Sequence, residues 1–335
     1  MVPSQGVAIF MIIITTFMWG SWFQCIKRLG KYPVPGFILL MYTFSFVLVW
    51  IFIGLNSLFG WGFISGNILE AIGGQPIVAL GVIVCGALFA VGMQVQMEVV
   101  KKVGLILSTS ITASCNILFG TLVSMLVGGV REGLSVPGIL FAAVVLVAAT
   151  IVCQIAGKRR TQEQGGSEEE GNGAVNVKMV ISLILVMLFL ATAYPLAMAF
   201  GVKTNENTTG FESLLCVGLL SVGSLIGSWI YSSVVLTKHK QWKAAFRPER
   251  KTPILLAMIS AFCHYGGNII HTIAIPAVST AIAWPMGTTS NLWTYIWGIL
   301  YGEFKGSSKK TYAILGGGIL LFILGVILLA MFVYW

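Results

Sequence analysis

The sequence predicts an all-α integral membrane protein with ten transmembrane helices, arranged as two inverted repeats of five helices each. Three observations lead to this prediction. First, 57% of the 335 residues are hydrophobic and only 9% are charged, whereas about a quarter of the residues in a soluble domain are charged. Second, the apolar runs reach the ~20 residues that a helix needs to cross a bilayer, well beyond the ~10-residue strands of a barrel. Third, one polar linker divides the chain into halves with five such runs each.

Glycine, proline and charged residues separate the apolar runs, and a backbone in lipid favours a helix for each run. We interpret the first run as a retained span, because no basic residue precedes Lys27 as a signal peptide would require. The ten predicted spans cover residues 5–26, 34–55, 76–99, 104–128, 135–157, 178–202, 210–236, 253–274, 277–302 and 311–334.

Lysine and arginine lie almost entirely in the loops that follow odd-numbered spans. Of the twenty basic residues, only Arg131 and Lys203 lie on the other side. The positive-inside rule predicts cytoplasmic basic loops and both termini outside, in a plasma or bacterial inner membrane. Because the basic residues form no continuous patch, we expect no nucleic-acid partner despite the net charge of +9.

The glycine- and glutamate-rich segment 158–176 is predicted to be a disordered cytoplasmic linker. It separates a first five-helix repeat, residues 1–157, from a second, residues 177–335. Since five is odd, the second repeat must be inverted relative to the first. Inverted repeats with a substrate site near the midplane are typical of secondary transporters.

Weak internal similarity also indicates a repeat. Ser108-Thr109 near the start of span 4 corresponds to Ser279-Thr280 near the start of span 9. With a small gap, Asn116 falls near Asn291, and Gly128 aligns with Gly302.

Polar residues inside apolar spans are costly and often functional. His264, Asn268 and His271 are spaced i, i+4 and i+7, so they share one helical face. Either they form a substrate or proton site, since histidine titrates near neutral pH, or they pack against neighbouring helices. Asparagine side chains suit a neutral, flat ligand, although they also join helices to one another.

The predicted site follows from these polar residues and from tryptophans that can stack on a ligand. His264 is the first candidate for proton coupling. Glu98 is the second, although Lys101 and Lys102 can pair with it. Glu303, with Lys305 close by, is expected to serve gating or structure. The predicted substrate-binding residues are Trp19, Gln94, Asn116, His264, Asn268, Trp284 and Asn291.

No cofactor or metal is expected. The six cysteines are scattered through apolar segments without a Cys-x-x-Cys pair, which indicates small buried residues. Gly223-x-x-x-Gly227 allows close helix packing, either within one chain or across a homodimer. An enzyme is not expected, because His-x-x-x-His with a glutamate base, paired aspartates and a Ser/Lys dyad are all missing from the sequence.

The segment Trp297-Gly-Ile-Leu-Tyr-Gly302-Glu303-Phe304-Lys305 and the following Ser307-Ser308-Lys309-Lys310-Thr311-Tyr312 resemble the end of the plant ureide permeases. Further similar motifs are Trp19-Gly20, Val103-Gly104-Leu105, Ile111-Thr112-Ala113 and Gly267-Asn268. That family belongs to the drug/metabolite transporter superfamily. The resemblance implies its ten-helix fold of two inverted repeats, and proton-linked uptake of allantoin, uracil and related heterocycles.

Two departures from that family leave the substrate open. The linker lacks the Gly-Lys-Ser/Thr motif of the plant proteins. In span 3, Met93 occupies a position where that family has a sequence similar to Gly-Asn. The expected function is proton-coupled import of a small neutral polar metabolite across the lipid bilayer, first a nucleobase or ureide. A rhamnose- or glucose-like sugar permease and a metabolite or drug exporter are the alternatives.

Overall fold

The computed structural model describes residues 2–103, 105–165, 181, 185–186, 189–190 and 192–334. For residues 97–103, 105–111 and 333–334 it describes the backbone alone. The described chain is helical, with one isolated bridge between Val202 and Phe211 outside the helices. The linker was predicted to be disordered from residue 158, but α6 continues as a helix to Glu163. Residues 166–176 of the predicted linker lie outside the described residues.

Thirteen α-helices and one 3₁₀-helix are numbered here along the described chain. A 3₁₀-helix, Trp22–Arg28, directly continues α1. The α-helices are α1 Gln5–Ser21, α2 Val34–Phe59, α3 Ile68–Gly74, α4 Pro76–Val103, α5 Leu105–Gly128, α6 Val136–Glu163, α7 Ala193–Gly201, α8 Ser213–Lys238, α9 Trp242–Phe246, α10 Thr252–Val278, α11 Thr280–Gly287, α12 Ser290–Leu300 and α13 Lys309–Tyr334.

Local sequence explains several helix starts. Ser4 and Ser135 accept hydrogen bonds from the first-turn amides of α1 and α6, at 3.5 and 3.2 Å. Proline occupies the first turn of α2, α6 and α10, where its missing N–H costs no helical hydrogen bond.

Seven helices in the described chain are long and apolar enough to cross a bilayer. They are the predicted spans 1, 2, 3, 5, 7, 8 and 10, which confirms a multi-pass helical membrane protein. Of predicted span 6, the described part contains only α7 as a helix with defined ends. Predicted span 9 is divided into α11 and α12, because Thr288 and Thr289 interrupt it.

The helices pack in an order that mixes the two halves of the chain. α10 contacts α1 and α2, and α8 contacts α2 and α4. α7 lies against α4 and α5, while α11 contacts α5 and α1, and α12 contacts α1. α6 packs along α13. Each long helix of the first half therefore has a neighbour from the second half.

Gly223 and Gly227 pack within the chain. A side chain at either position would collide with the backbone of Ile83 or Ala87 in α4. The motif therefore brings α8 and α4 into close contact, which was one of its two predicted roles.

Candidate functional site

Trp19 joins α1 to the predicted polar face of α10. Its indole Nε1 donates to the Asn268 side-chain oxygen at 3.0 Å and to the His264 carbonyl at 3.2 Å. Its ring lies 5.0 Å from the His271 ring, centroid to centroid. His264, Asn268 and His271 are all buried. One tryptophan thus contacts all three polar residues whose spacing predicted a shared face.

Both ring nitrogens of His271 are within hydrogen-bonding distance of a partner. Nε2 lies 3.0 Å from the Ala283 carbonyl, and Nδ1 lies 3.2 Å from the Tyr194 hydroxyl. A carbonyl only accepts, so Nε2 carries the proton and Nδ1 accepts from the tyrosine. This arrangement satisfies His271 as a neutral side chain and connects α10, α7 and α11.

His264 has a different environment. The rings of Trp22 and Phe89 lie close to its ring, at centroid distances of 5.1 and 5.6 Å, and the Tyr42 ring stands edge-on at 5.7 Å. Three aromatic residues therefore pack around the imidazole. Its Nδ1 atom is buried without a hydrogen-bond partner in the described chain.

Two further buried polar atoms next to His264 lack a partner within the described residues. They are the Tyr42 hydroxyl and the amide nitrogen of Asn268, whose oxygen accepts from Trp19. A buried polar group without a partner costs about 1–3 kcal/mol, and lipid supplies no compensating donor or acceptor. Three such atoms lie around one aromatic cluster, which makes this region the candidate ligand site.

The aromatic and polar residues around His264 and His271 are called the central cluster. Tyr194 completes it by contacting Trp19, Phe89 and Trp284 at centroid distances of 5.6, 5.4 and 5.7 Å. The cluster draws on α1 and its 3₁₀ extension, α2, α4, α7, α10 and α11. Its members are Trp19, Trp22, Tyr42, Phe89, Tyr194, His264, Asn268, His271 and Trp284.

Three predicted site residues have other surroundings. The Gln94 oxygen accepts from Ser232 at 2.7 Å on the seam between α4 and α8. Asn116 contacts the cluster through its backbone, because its carbonyl accepts a hydrogen bond from Trp284 Nε1 at 3.1 Å. Asn291 lies half-buried in the first turn of α12. Glu98 belongs to the stretch whose side chains lie outside the described residues.

The site predicted from the sequence does not include Tyr42, Phe89, Tyr194 or Trp22. Trp22 is buried and lies against His264. Aromatic residues are common in apolar spans, so the local sequence does not distinguish these four from other aromatic residues. Tyrosine within a span does need a partner for its hydroxyl, and that was the available signal for Tyr42 and Tyr194.

Ion pairs lie at both ends of the helix bundle. At the end that carries most of the basic residues, here called the basic end, Glu303 accepts from Lys27 and from Arg160 at 2.5 and 2.7 Å. At the opposite end, Arg131 Nε donates to Glu206 at 2.9 Å. Glu303 therefore pairs with Lys27 and Arg160, which are distant in sequence.

Burial alone would raise the pKa of the Glu303 carboxyl. Hydrogen bonds and positive charges from Lys27 and Arg160 outweigh burial, so its pKa lies below the usual value for glutamate. The carboxylate is therefore ionised at neutral pH, and the ion pairs at the basic end are intact.

Comparison with known proteins identifies a fold. No family model matches the chain, and no curated protein matches it. One solved structure, described only as a crystal structure of a protein, is similar over 97% of this chain and 96% of that chain. Its TM-score is 0.64 and its sequence identity is 14%. At that identity the likeness shows a shared fold alone.

Proposed function

We propose that this protein is a secondary transporter that imports a small, neutral, polar metabolite, with a nucleobase or ureide as the first candidate. The central cluster carries the proposal, because it holds three unpartnered buried polar atoms near the middle of membrane-spanning helices. Residues from both halves of the chain form it. A site at this depth and between the halves suits alternating access.

The chemistry of the cluster favours a flat and neutral ligand. Apart from two histidines, its side chains are aromatic or amide groups without charge. The Asn268 amide nitrogen donates, while the Tyr42 hydroxyl and His264 Nδ1 can donate or accept, depending on the ligand and the tautomer. Tryptophan and tyrosine rings provide stacking surfaces for a planar heterocycle. The motifs similar to ureide permeases support the same substrate class.

The pattern of helix contacts supports two inverted repeats. When α1, α2, α4, α5 and α6 are matched with α7, α8, α10, α11–α12 and α13, the most extensive contacts between these helices map onto other observed contacts or onto themselves. The α1–α10 contact corresponds to α7–α4, and α2–α10 corresponds to α8–α4. The pairs α2–α8 and α6–α13 correspond to themselves. A twofold relation between the halves predicts these equivalences.

We assign the proton-coupling role to His264, and Glu98 stays the second candidate. His271 is fully hydrogen-bonded as a neutral ring, so protonation at Nδ1 would break its contact with Tyr194. His264 Nδ1 has no such contact to lose. We also propose that the basic loops lie in the cytoplasm and that both termini lie outside, because basic residues favour the cytoplasmic side.

Uptake by the purified protein in proteoliposomes tests the function. With an inward proton gradient, we expect labelled uracil or allantoin to accumulate, and collapse of the gradient to abolish accumulation. Unlabelled sugars compete only if the site accepts a sugar ring. If neither base nor ureide accumulates, and rhamnose or glucose does, the sugar permease replaces this assignment.

Replacing His264 tests proton coupling. His264→Gln keeps hydrogen-bonding groups but cannot titrate, so we expect gradient-driven accumulation to be lost while gradient-independent exchange remains. His239→Gln is the matched control, because His239 is exposed at the end of α8. Unchanged pH dependence in His264→Gln would exclude His264 as the coupling group.

A further inference from the structure

The two ion pairs occupy corresponding places at opposite ends of the molecule. Lys27 follows the first span and Glu303 follows the ninth. Glu206 follows the sixth span, and Arg131 follows the fourth. In two repeats of five spans, each span of the first half corresponds to the span five places later. Lys27 then corresponds to Glu206, and Glu303 corresponds to Arg131, so a positive residue in one pair matches a negative residue in the other.

At the basic end, Glu303 contacts two other segments of the chain. Lys27 comes from the end of the 3₁₀-helix, and Arg160 comes from the last turn of α6. The Gln164 amide donates to the Glu303 carbonyl at 2.8 Å. The side chains of Lys27 and Glu303 are 49% and 31% exposed. These contacts therefore join the 3₁₀ extension of α1, the end of α6 and the segment after α12, in a partly exposed position at the basic end.

At the opposite end, Arg131 makes a more buried contact. Besides Glu206, it donates from Nη1 to the Ala277 carbonyl at 2.8 Å and from Nη2 to the Pro276 carbonyl at 3.1 Å. These carbonyls belong to the last turn of α10. The exposed fractions of Arg131 and Glu206 are 24% and 12%, so this ion pair is the more buried of the two.

The backbone next to Arg131's acceptors is strained. Ser279 has φ 73° and ψ 157°, a region that residues other than glycine avoid and that is found where structure and function hold it in place. Ser279 joins α10, which carries His264 and Asn268, to α11, which carries Trp284. A change at the Arg131 contact can therefore reach the central cluster through this junction.

We propose that Lys27–Glu303 and Arg131–Glu206 are two alternating latches, each closing one end of the path to the central cluster. This inference rests on the proposed transport function and names the residues that gate it. With both latches closed, the cluster is occluded. Opening toward the basic end breaks Lys27–Glu303 and keeps Arg131–Glu206, and opening toward the other end does the reverse. Because Lys27–Glu303 is the more exposed pair, the basic end opens more easily.

Hydrogen exchange of the full-length protein in lipid nanodiscs tests the latches without any substrate. In Glu303→Gln, we expect exchange to rise about two- to fivefold in the 3₁₀-helix and α12, the range that loss of an exposed ion pair produces. Exchange at the opposite end, in segments 129–134 and 203–212, should slow. Glu206→Gln should give the mirror image, with a larger rise of about tenfold or more because this pair is more buried.

The reciprocal slowing at the far end separates a latch from a local structural contact. Glu249→Gln and Glu132→Gln are matched controls, because both carboxylates are exposed, one at each end, and neither should change exchange at the far end. If Glu303→Gln or Glu206→Gln speeds exchange only locally, or at both ends, the latch proposal is wrong. Should either variant fail to fold, Lys27→Met and Arg131→Lys test the same two contacts.

The latches and the transport function can fail separately. Reciprocal exchange without uptake of any tested solute would support the latches and reject the proposed substrates. Uptake without reciprocal exchange would support transport and reject the latches.

Discussion

His264 and His271 lie two turns apart on one face of α10, yet their contacts give them different roles. His271 connects three helices through two hydrogen bonds. His264 is bordered by aromatic rings and keeps a free buried nitrogen. His271 therefore has both ring nitrogens paired, whereas His264 has a buried nitrogen that a ligand or a proton could occupy. Helical spacing alone does not distinguish them.

Tyr194→Phe should destabilise the protein, because it leaves His271 Nδ1 buried without its donor. We expect a loss of about 1–3 kcal/mol in unfolding free energy, measured by thermal unfolding in detergent or by denaturant titration. Tyr301→Phe is the control, since Tyr301 is exposed at the end of α12 and keeps its ring. Equal stability of the two variants would show that the Tyr194–His271 contact contributes nothing.

The lowered pKa of Glu303 defines the pH range over which its ion pairs with Lys27 and Arg160 persist. Its pKa lies below the usual value for glutamate, about 4.3. The stability from a depressed carboxyl pKa is fully present above that usual value and is lost as pH falls through the folded-state pKa. The stability difference between wild type and Glu303→Gln should thus be constant from pH 5 to 8 and shrink below pH ~4. A change within pH 5–8 would contradict this.

Among the helices, α5 and α11 meet at a position that only glycine allows. A methyl group at Gly120 would collide with the Trp284 indole, which borders the central cluster and donates to the Asn116 carbonyl. The fit between these helices therefore decides where Trp284 lies. It connects the packing of two helices directly to the shape of the candidate site.

Gly120→Ala should displace Trp284 and destabilise the protein by about 1–3 kcal/mol, as overpacking does. Gly54→Ala is the matched control, because a methyl group there meets nothing within 4 Å and alanine favours the helix by about 1 kcal/mol. Thermal unfolding should shift down in the first variant and stay equal or rise in the second. A shift of the same sign in both would reject the packing argument.

For the whole molecule, a ligand that completes the central cluster should stabilise the folded state. At a concentration one hundred times its dissociation constant, the gain is about 2.7 kcal/mol. We expect uracil or allantoin, the proposed substrates, to raise the unfolding temperature of wild type and to have little effect on Asn268→Leu, which lacks the amide donor of Asn268. Gln75→Leu, a change far from the cluster at the α3–α4 junction, should keep the shift. A shift retained in Asn268→Leu would place the ligand elsewhere.

The whole molecule also shows how far the sequence alone could lead. Hydrophobic length predicted the membrane class and seven of the long helices, because crossing a bilayer imposes a local requirement on ~20 residues. Helical periodicity placed His264, Asn268 and His271 on one face, since three residues on one helix need no knowledge of other helices. Trp19 and Trp284 were found because large rings beside such a face are suitable ligand walls.

The remaining features depend on contacts between distant segments, which no local pattern contains. Tyr42, Phe89 and Tyr194 look like ordinary apolar-span aromatics until α2, α4 and α7 meet at α10. Glu303 pairs with Lys27 and Arg160 because α1, α6 and α12 end together. The sequence by itself therefore determined that this chain forms apolar membrane helices and which face of α10 is polar. Only the tertiary structure decided which side chains surround that face and which charges pair at the two ends.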